Sequence, residues 1–293
     1  MTPEVLCIGE TMVLVTPVEP GPLAEADLFR LDVGGAESTV ALYLRDLGHH
    51  SAWAGRVGDD PLGRRLVDAI AGHGVDVRWV RVDQDAPTGV YFKDPGAGGT
   101  RVHYYRAGSA ASRLSPGDLA EMPIGDAKLV HLSGITPALS ASCRALVEAA
   151  LDRDGPVSFD VNHRPALWSA AAAGPVLLEL ANRADIVFVG QDEAQTLWDA
   201  ATPEEVRKLI SSARLVVKDG ADGATEFDGP QRTFAPAPPV DVVEVVGAGD
   251  AFAAGYLSGV LRGLDPATCL RDGHRVAARA LGGTGDFVPG GAL

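Results

Sequence analysis

Gly247, Ala248, Gly249 and Asp250 open a run of small and apolar residues, VGAGDAFAAGYL from Val246 to Leu257. The two glycines let the backbone turn tightly and bring its N–H groups close to a ligand. A helix starting there aims its unpaired N–H groups and the positive end of its dipole at the same point. The result is an anion site, most naturally for phosphate. Asp250 adds a carboxylate at the mouth of that site. An anion hole beside a fixed carboxylate suits phosphoryl transfer to a hydroxyl, because the backbone stabilises negative charge while the carboxylate takes the proton. The same residues also suit a plain helix start with Asp250 as its N-cap, so the four residues alone leave base and cap both open.

Four further clusters carry chemistry. Gly34-Gly35-Ala36-Glu37 reads as a helix entry where Gly34 lets a ligand approach the backbone, with Glu37 as a first-turn acid complementing the helix dipole. Tyr104-Tyr105-Arg106 reads as a strand end. Alternate strand residues share a face, so Tyr104 and Arg106 point inward and Tyr105 outward. An arginine beside a tyrosine hydroxyl suits a carboxylate, though a surface arginine packed on an aromatic stem would look the same. Asp160-Val161-Asn162-His163-Arg164 follows an apolar run; Asp160 could orient Arg164, contact hydrated Mg²⁺ or simply cap a strand. Lys218 to Gly223, with Gly220 and Gly223, suits a turn against an adenine or ribose, or a plain hairpin.

Other chemistries lack their residues. Gly58–Arg65 has the glycine spacing of a Walker A loop without its Lys-Ser/Thr, and there is no GxGxxG, GxSxG or HExxH. The dispersed histidines, His103, His131 and His163 among them, read as packing or polar-surface residues. Net charge is −14, which argues against nucleic acid or anionic membranes as main partners. Lys218, Arg106 and Arg164 can still serve an anionic ligand. Cys7, Cys143 and Cys269 are scattered and odd in number, as expected of a reduced, cytoplasmic protein with buried thiols. No apolar run approaches a membrane span, and no basic-then-apolar leader is read at the start.

These residues need a scaffold. Val5–Ile8, Leu129–Leu132, Val157–Val161, Ile186–Val189 and Leu215–Lys218 are short apolar runs, the pattern of buried parallel strands. Ser38–Leu47, Leu62–Ala71, Ala141–Leu151 and Ala251–Leu261 read as helices between and after them. The alternation predicts an α/β fold, a mostly parallel sheet flanked by helices, with ligands at the carboxyl ends of the strands. Residues 12–33 and 88–106 break the rhythm with strand-like runs and no helix. They are expected to form antiparallel strands of a small β-sheet lid inserted in a single domain spanning 1–293.

Together the motifs resemble the ribokinase-like (phosphofructokinase-B type) carbohydrate kinases. VGGAE, GRVGDDPLG, YYRAGSA, HLSGITPALS, DVNHR and VGAGDAFAAGYL are most similar to 2-keto-3-deoxygluconate kinases. The resemblance implies ATP- and Mg²⁺-dependent phosphorylation of the 6-hydroxyl of a 2-keto-3-deoxy sugar acid. Asp250 would be the base and Gly247, Ala248 and Gly249 the anion hole. Gly34, Tyr91, Tyr104, Arg106, Arg164 and Asp250 would hold the sugar acid. Lys218, Gly220, Gly223, Gly247, Gly249 and His274 would border the nucleotide, and Glu193 would act indirectly on the metal. A closing lid would exclude water and pair with a partner's lid in a homodimer or larger assembly. A fructokinase, another sugar or nucleoside kinase, and a non-catalytic sugar-acid sensor are the alternatives; Arg106 and Tyr104 favour the acid, and Asp250 argues against the sensor. Three positions depart from the pattern. Thr39 and Gly190 stand where the family has asparagine, and Glu244 stands where it has aspartate, which leaves a monovalent-cation site open.

Overall fold

In the computed structural model, which describes residues 2–19, 21–96, 99–283 and 285–290, fourteen strands alternate with ten α-helices. The strands are β1 (Val5–Ile8), β2 (Met12–Pro17), β3 (Phe29–Gly34), β4 (Ser51–Ala54), β5 (Arg56–Gly58), β6 (Arg81–Asp83) and β7 (Val90–Gly96). There follow β8 (Gly99–Tyr105), β9 (Leu129–Ser133), β10 (Val157–Asp160), β11 (Ile186–Gly190), β12 (Arg214–Asp219), β13 (Gly223–Asp228) and β14 (Gln231–Pro236). The helices are α1 (Ala36–Asp46), α2 (Pro61–Gly72), α3 (Pro116–Leu119), α4 (Thr136–Leu139) and α5 (Ala141–Leu151). After them come α6 (Ala170–Ala181), α7 (Gln191–Trp198), α8 (Pro203–Leu209), α9 (Ala248–Leu261) and α10 (Pro266–Leu281).

The main sheet runs β14-β13-β12-β11-β10-β9-β1-β4. From β12 to β4 every pairing is parallel, with Val5 opposite both Ser51 and Leu129 and Val187 opposite Leu215. The β12–β13 and β13–β14 hairpins finish one edge in antiparallel register. Both faces are covered. Leu6 and Ile8 pack with Leu146, Phe159 and Leu177 on one side, while Val5 and Cys7 pack with Tyr43, Trp53 and Leu257 on the other. Burial of both faces is why these strands are apolar at consecutive positions. Helix starts carry the chemistry expected of them: Asp60 accepts from Gly63 N–H (2.7 Å) ahead of Pro61, and Ser140 accepts from Cys143 N–H (3.1 Å).

The second sheet has the order β3-β2-β7-β8 and is built from the two segments that break the α/β rhythm. Its pairing corrects one expectation. β2–β3 and β7–β8 are antiparallel, but β2 and β7 are parallel. Two hairpins lie side by side, and their first strands, which both lead outward, are the central pair.

Candidate active site

The anion loop is built by a glycine that no other residue replaces without strain. Gly247 has φ +86°, and a Cβ there would lie 2.7 Å from the Asp286 carbonyl oxygen. Gly247 is itself the N-cap of α9 and offers no side-chain cap. Asp250 therefore does not cap the helix: it is the third helical residue. α9 is apolar nearly all round and buried, so its start is held rigidly. The Asp250 carboxylate is buried and, among the described residues, accepts one hydrogen bond, from Asn162 Nδ2 (3.3 Å). Burial pushes its pKa up to about 7; Asp160 adds to the rise, while Arg164 and Lys218 oppose it. A carboxylate tuned there can accept a proton near neutral pH.

The ends of β10, β11 and β12 supply the cations and the polar floor. Lys218 Nζ donates to Asp160 Oδ2 (2.7 Å), so the partner of Asp160 is Lys218 and not Arg164. Burial alone would lower the Lys218 pKa, but the carboxylates of Asp160 and Glu193 hold it above the ordinary value. Its ammonium faces the loop, 3.5 Å from where a Cβ on Gly249 would stand. Arg164 lines the same space and has no ion pair or side-chain hydrogen bond among the described residues. Glu193, third residue of α7, accepts from Gly190 N–H and His163 N–H (2.8 Å each) and so ties two strand ends together. Burial, with Asp160 nearby, raises its pKa.

The second sheet forms the opposite wall. Tyr91 and Tyr104 stack at 5.7 Å, the Arg106 guanidinium lies over Tyr104 at 5.4 Å, and Tyr105 is 69% exposed. Gly34 is required by Tyr91: a Cβ on Gly34 would stand 1.8 Å from the Tyr91 hydroxyl. That hydroxyl donates to Asp286 Oδ2 (2.7 Å). Arg106 is buried and paired with Glu10, which also accepts from Ser109 Oγ (2.8 Å). Glu37 is a first-turn acid of α1, as read from the sequence, but it is fully buried and accepts from Ser133 and Thr136 hydroxyls (2.8 Å each). Thr39 is buried in α1 and stays out of the cavity.

At the far end, Gly220 and Gly223 both have positive φ and shape the β12–β13 hairpin turn, whose glycines reach the cavity. His274 on α10 stands 3.1 Å from the Ala235 carbonyl and edge-on to Phe252; burial lowers its pKa despite that hydrogen bond.

All the residues singled out in the sequence as a site meet around one cavity of about 980 Å³. Asn162 of the Asp160–Arg164 cluster lines it too, and Glu10 and Asp286 join them without having been singled out for the site. Lys93, just behind the wall, was also missed; its signal is its spacing of two from Tyr91 on one strand face. Among the described residues no group of three or more His, Cys, Asp or Glu is arranged to hold a metal by itself. No helix among them is long and apolar enough to cross a membrane.

Comparison with known proteins places this geometry. The family described as "pfkB family carbohydrate kinase" matches residues 2–288. The chain is 38% identical to a 2-dehydro-3-deoxygluconokinase of Thermoproteus tenax, over 96% of this chain and 89% of that one. It is 33% identical to a 2-dehydro-3-deoxygalactonokinase of Haloferax volcanii, over 95% and 91%. Among solved structures, a PfkB protein from Polaromonas sp. JS666 superposes with a TM-score of 0.89 at 35% identity, covering 96% of this chain and 97% of that one.

Proposed function

The chain belongs to the pfkB family of carbohydrate kinases, and from that premise we propose that it transfers the γ-phosphoryl group of ATP to the 6-hydroxyl of a 2-keto-3-deoxy sugar acid. The observation that carries the mechanism is Asp250. It is buried beside the anion loop, its pKa is raised to about 7, and the helix does not use it as a cap. In this reading Asp250 accepts the 6-hydroxyl proton as the oxygen–phosphorus bond forms and the bond to the β-phosphate oxygen breaks, releasing ADP. The N–H groups of Gly247, Ala248 and Gly249 and the Lys218 ammonium stabilise the charge on the moving phosphoryl group. Arg164, with open donors, and Arg106 with Tyr104, Tyr91 and Gly34 meet the sugar acid. Gly220, Gly223 and His274 border the nucleotide base and ribose.

Mg²⁺ would arrive with the nucleotide and shield its phosphates. Asp160 fits it through Oδ1, which is buried and has no hydrogen-bond partner among the described residues; Glu193 supports that strand end through its two backbone bonds. Mg²⁺ commonly takes one or two carboxylates, phosphates and water, which suits a site without a ready-made protein cage. The second sheet serves as a lid within one domain, excluding water that would compete as acceptor. Its exposed Phe29 and Tyr105, with exposed Leu28 just before β3, support pairing with a second copy. Three buried, unpaired cysteines support a cytoplasmic location.

The substrate class is supported by the name of the Thermoproteus tenax relative and by the two arginines. The test is an ADP-release assay across 2-keto-3-deoxygluconate, its C4 epimer, fructose, ribose and adenosine. One or both sugar acids should turn over fastest; preference for fructose or adenosine under matched conditions would overturn the assignment.

A further inference from the structure

Glu244, the position at which a monovalent cation was left open, has a lysine beside it. Lys93 of β7 is 2% exposed, and its Nζ stands 3.2 Å from Asp286 Oδ1 and 3.7 Å from Glu244 Oε2. The second oxygen of each carboxylate is also engaged. Asp286 Oδ2 accepts from the Tyr91 hydroxyl (2.7 Å). Glu244 Oε1 accepts from the N–H groups of Val245 (2.9 Å) and Val246 (3.3 Å), and so grips the segment entering the anion loop. Asp286 backs the same loop from the other side, close enough that Gly247 has no room for a Cβ.

One ammonium thus joins the two segments between which Gly247 is held. Two carboxylates facing each other away from water repel unless a cation lies between them, and they would also repel an incoming phosphate. A free K⁺ or Na⁺ could fill that role only if the carboxylates had charge and space to spare. Lys93 takes both, so this donor set does not fit an exchangeable monovalent ion.

We propose that Lys93 is the resident cation of this kinase. It positions the anion loop through Glu244 and Asp286, in place of a monovalent ion, and nucleotide binding and turnover need neither K⁺ nor Na⁺. Lys93 does not line the cavity, so it is a positioning residue. Because it reaches the loop from β7, it also fastens the second sheet to the phosphate end of the site. The proposal rests on the kinase reading of the loop and is independent of which sugar acid is used.

The experiment measures binding of a non-hydrolysable ATP analogue with Mg²⁺ by calorimetry, and kcat with the best substrate. Both are run in the chlorides of K⁺, Na⁺, Cs⁺ and tetramethylammonium at equal ionic strength, so that screening is constant. In the wild-type protein both quantities should change by less than about twofold across the salts, well under the 1.4 kcal/mol of a tenfold effect. Lys93→Met should weaken nucleotide binding by about tenfold or more, with K⁺ or NH₄⁺ restoring part of the loss, and Lys93→Arg should lose less. Stimulation of the wild type by K⁺ of about tenfold over tetramethylammonium would overturn the proposal alone. So would a folded Lys93→Met protein with unchanged binding and kcat. Should Lys93→Met fail to fold, the wild-type salt series decides. Absence of nucleotide binding in every salt would overturn the kinase reading and this proposal together.

Discussion

Asp250→Asn separates a catalytic carboxylate from a structural one, and the structure sets the size of each effect. Asparagine keeps the shape and can still accept from Asn162 Nδ2 through its own oxygen. It cannot take a proton from a hydroxyl. General-base catalysis contributes about 10²–10⁴-fold, so kcat should fall by that factor. Stability should move the other way. Burial raises the Asp250 pKa from 3.8 to about 7, so between those values the folded chain binds more protons than the unfolded one. Stability is then unaffected by this group below about pH 4 and falls as pH rises to about 7, with the full cost present above it. At 1.36 kcal/mol per pKa unit the gap corresponds to roughly 4 kcal/mol as an upper bound. Asp250→Asn should therefore raise Tm at pH 8 and leave it nearly unchanged at pH 4. The same ionisation predicts that wild-type kcat/KM falls on the acid side of about pH 7, since the base must be free. Nucleotide affinity should hold or tighten, because a negative charge near the γ-phosphate is gone. Steady-state kinetics, calorimetry and melting curves at the two pH values test all of this. A folded variant with near-normal kcat would refute the base.

The two arginines should behave differently. Arg106→Ala leaves Glu10 buried without its cation, so it should lose about 3–5 kcal/mol of stability as well as raise KM for the sugar acid. Arg164→Ala breaks no ion pair among the described residues, so Tm should hold while KM rises about ten- to a hundredfold, the worth of a charge-assisted contact of about 1.5–3 kcal/mol. Equal melting points for the two variants would refute this division. Light scattering should find the wild type at least dimeric and Phe29→Glu shifted to monomer; a monomeric wild type would refute pairing through the second sheet.

The fold was legible where burial alone dictates sequence. Val5–Ile8 and Ile186–Val189 are apolar at consecutive positions because helices cover both faces of the sheet. Elements whose state depends on pairing were not legible. β14, QRTFAP, is mostly exposed, and β13, GATEFD, carries polar residues; they are strands because β12 offers an edge. The small sheet was found through strand-like runs without helices, but the parallel β2–β7 pair was missed, since chain direction in a second layer leaves no local trace.

In the site, glycine and loop motifs were legible because tight turns demand particular residues, whereas charge partners were not. Arg106 and Glu10 are 96 positions apart, and Lys93 and Asp286 are 193 apart. Those partners matter more to the chemistry than any single motif. Around the cavity, Asp160 has Lys218, Glu10 has Arg106, Asp286 has Lys93, and Glu193 has two backbone N–H groups. Among the described residues Asp250 has only the neutral amide of Asn162. A buried carboxylate without a cation in contact keeps the cost of desolvation. Lys218, Arg106 and Lys93 are each paired with another acid, and Arg164, unpaired among the described residues, lowers the Asp250 pKa without touching it, which leaves Asp250 with a pKa of about 7 and free to take a proton. Adding a direct cation beside Asp250, with Asn162→Lys, should lower its pKa and its strength as a base. The acid limb of kcat/KM would then move to lower pH while the maximum rate falls; an acid limb that stays near pH 7 would mean that the base titrating there is not Asp250.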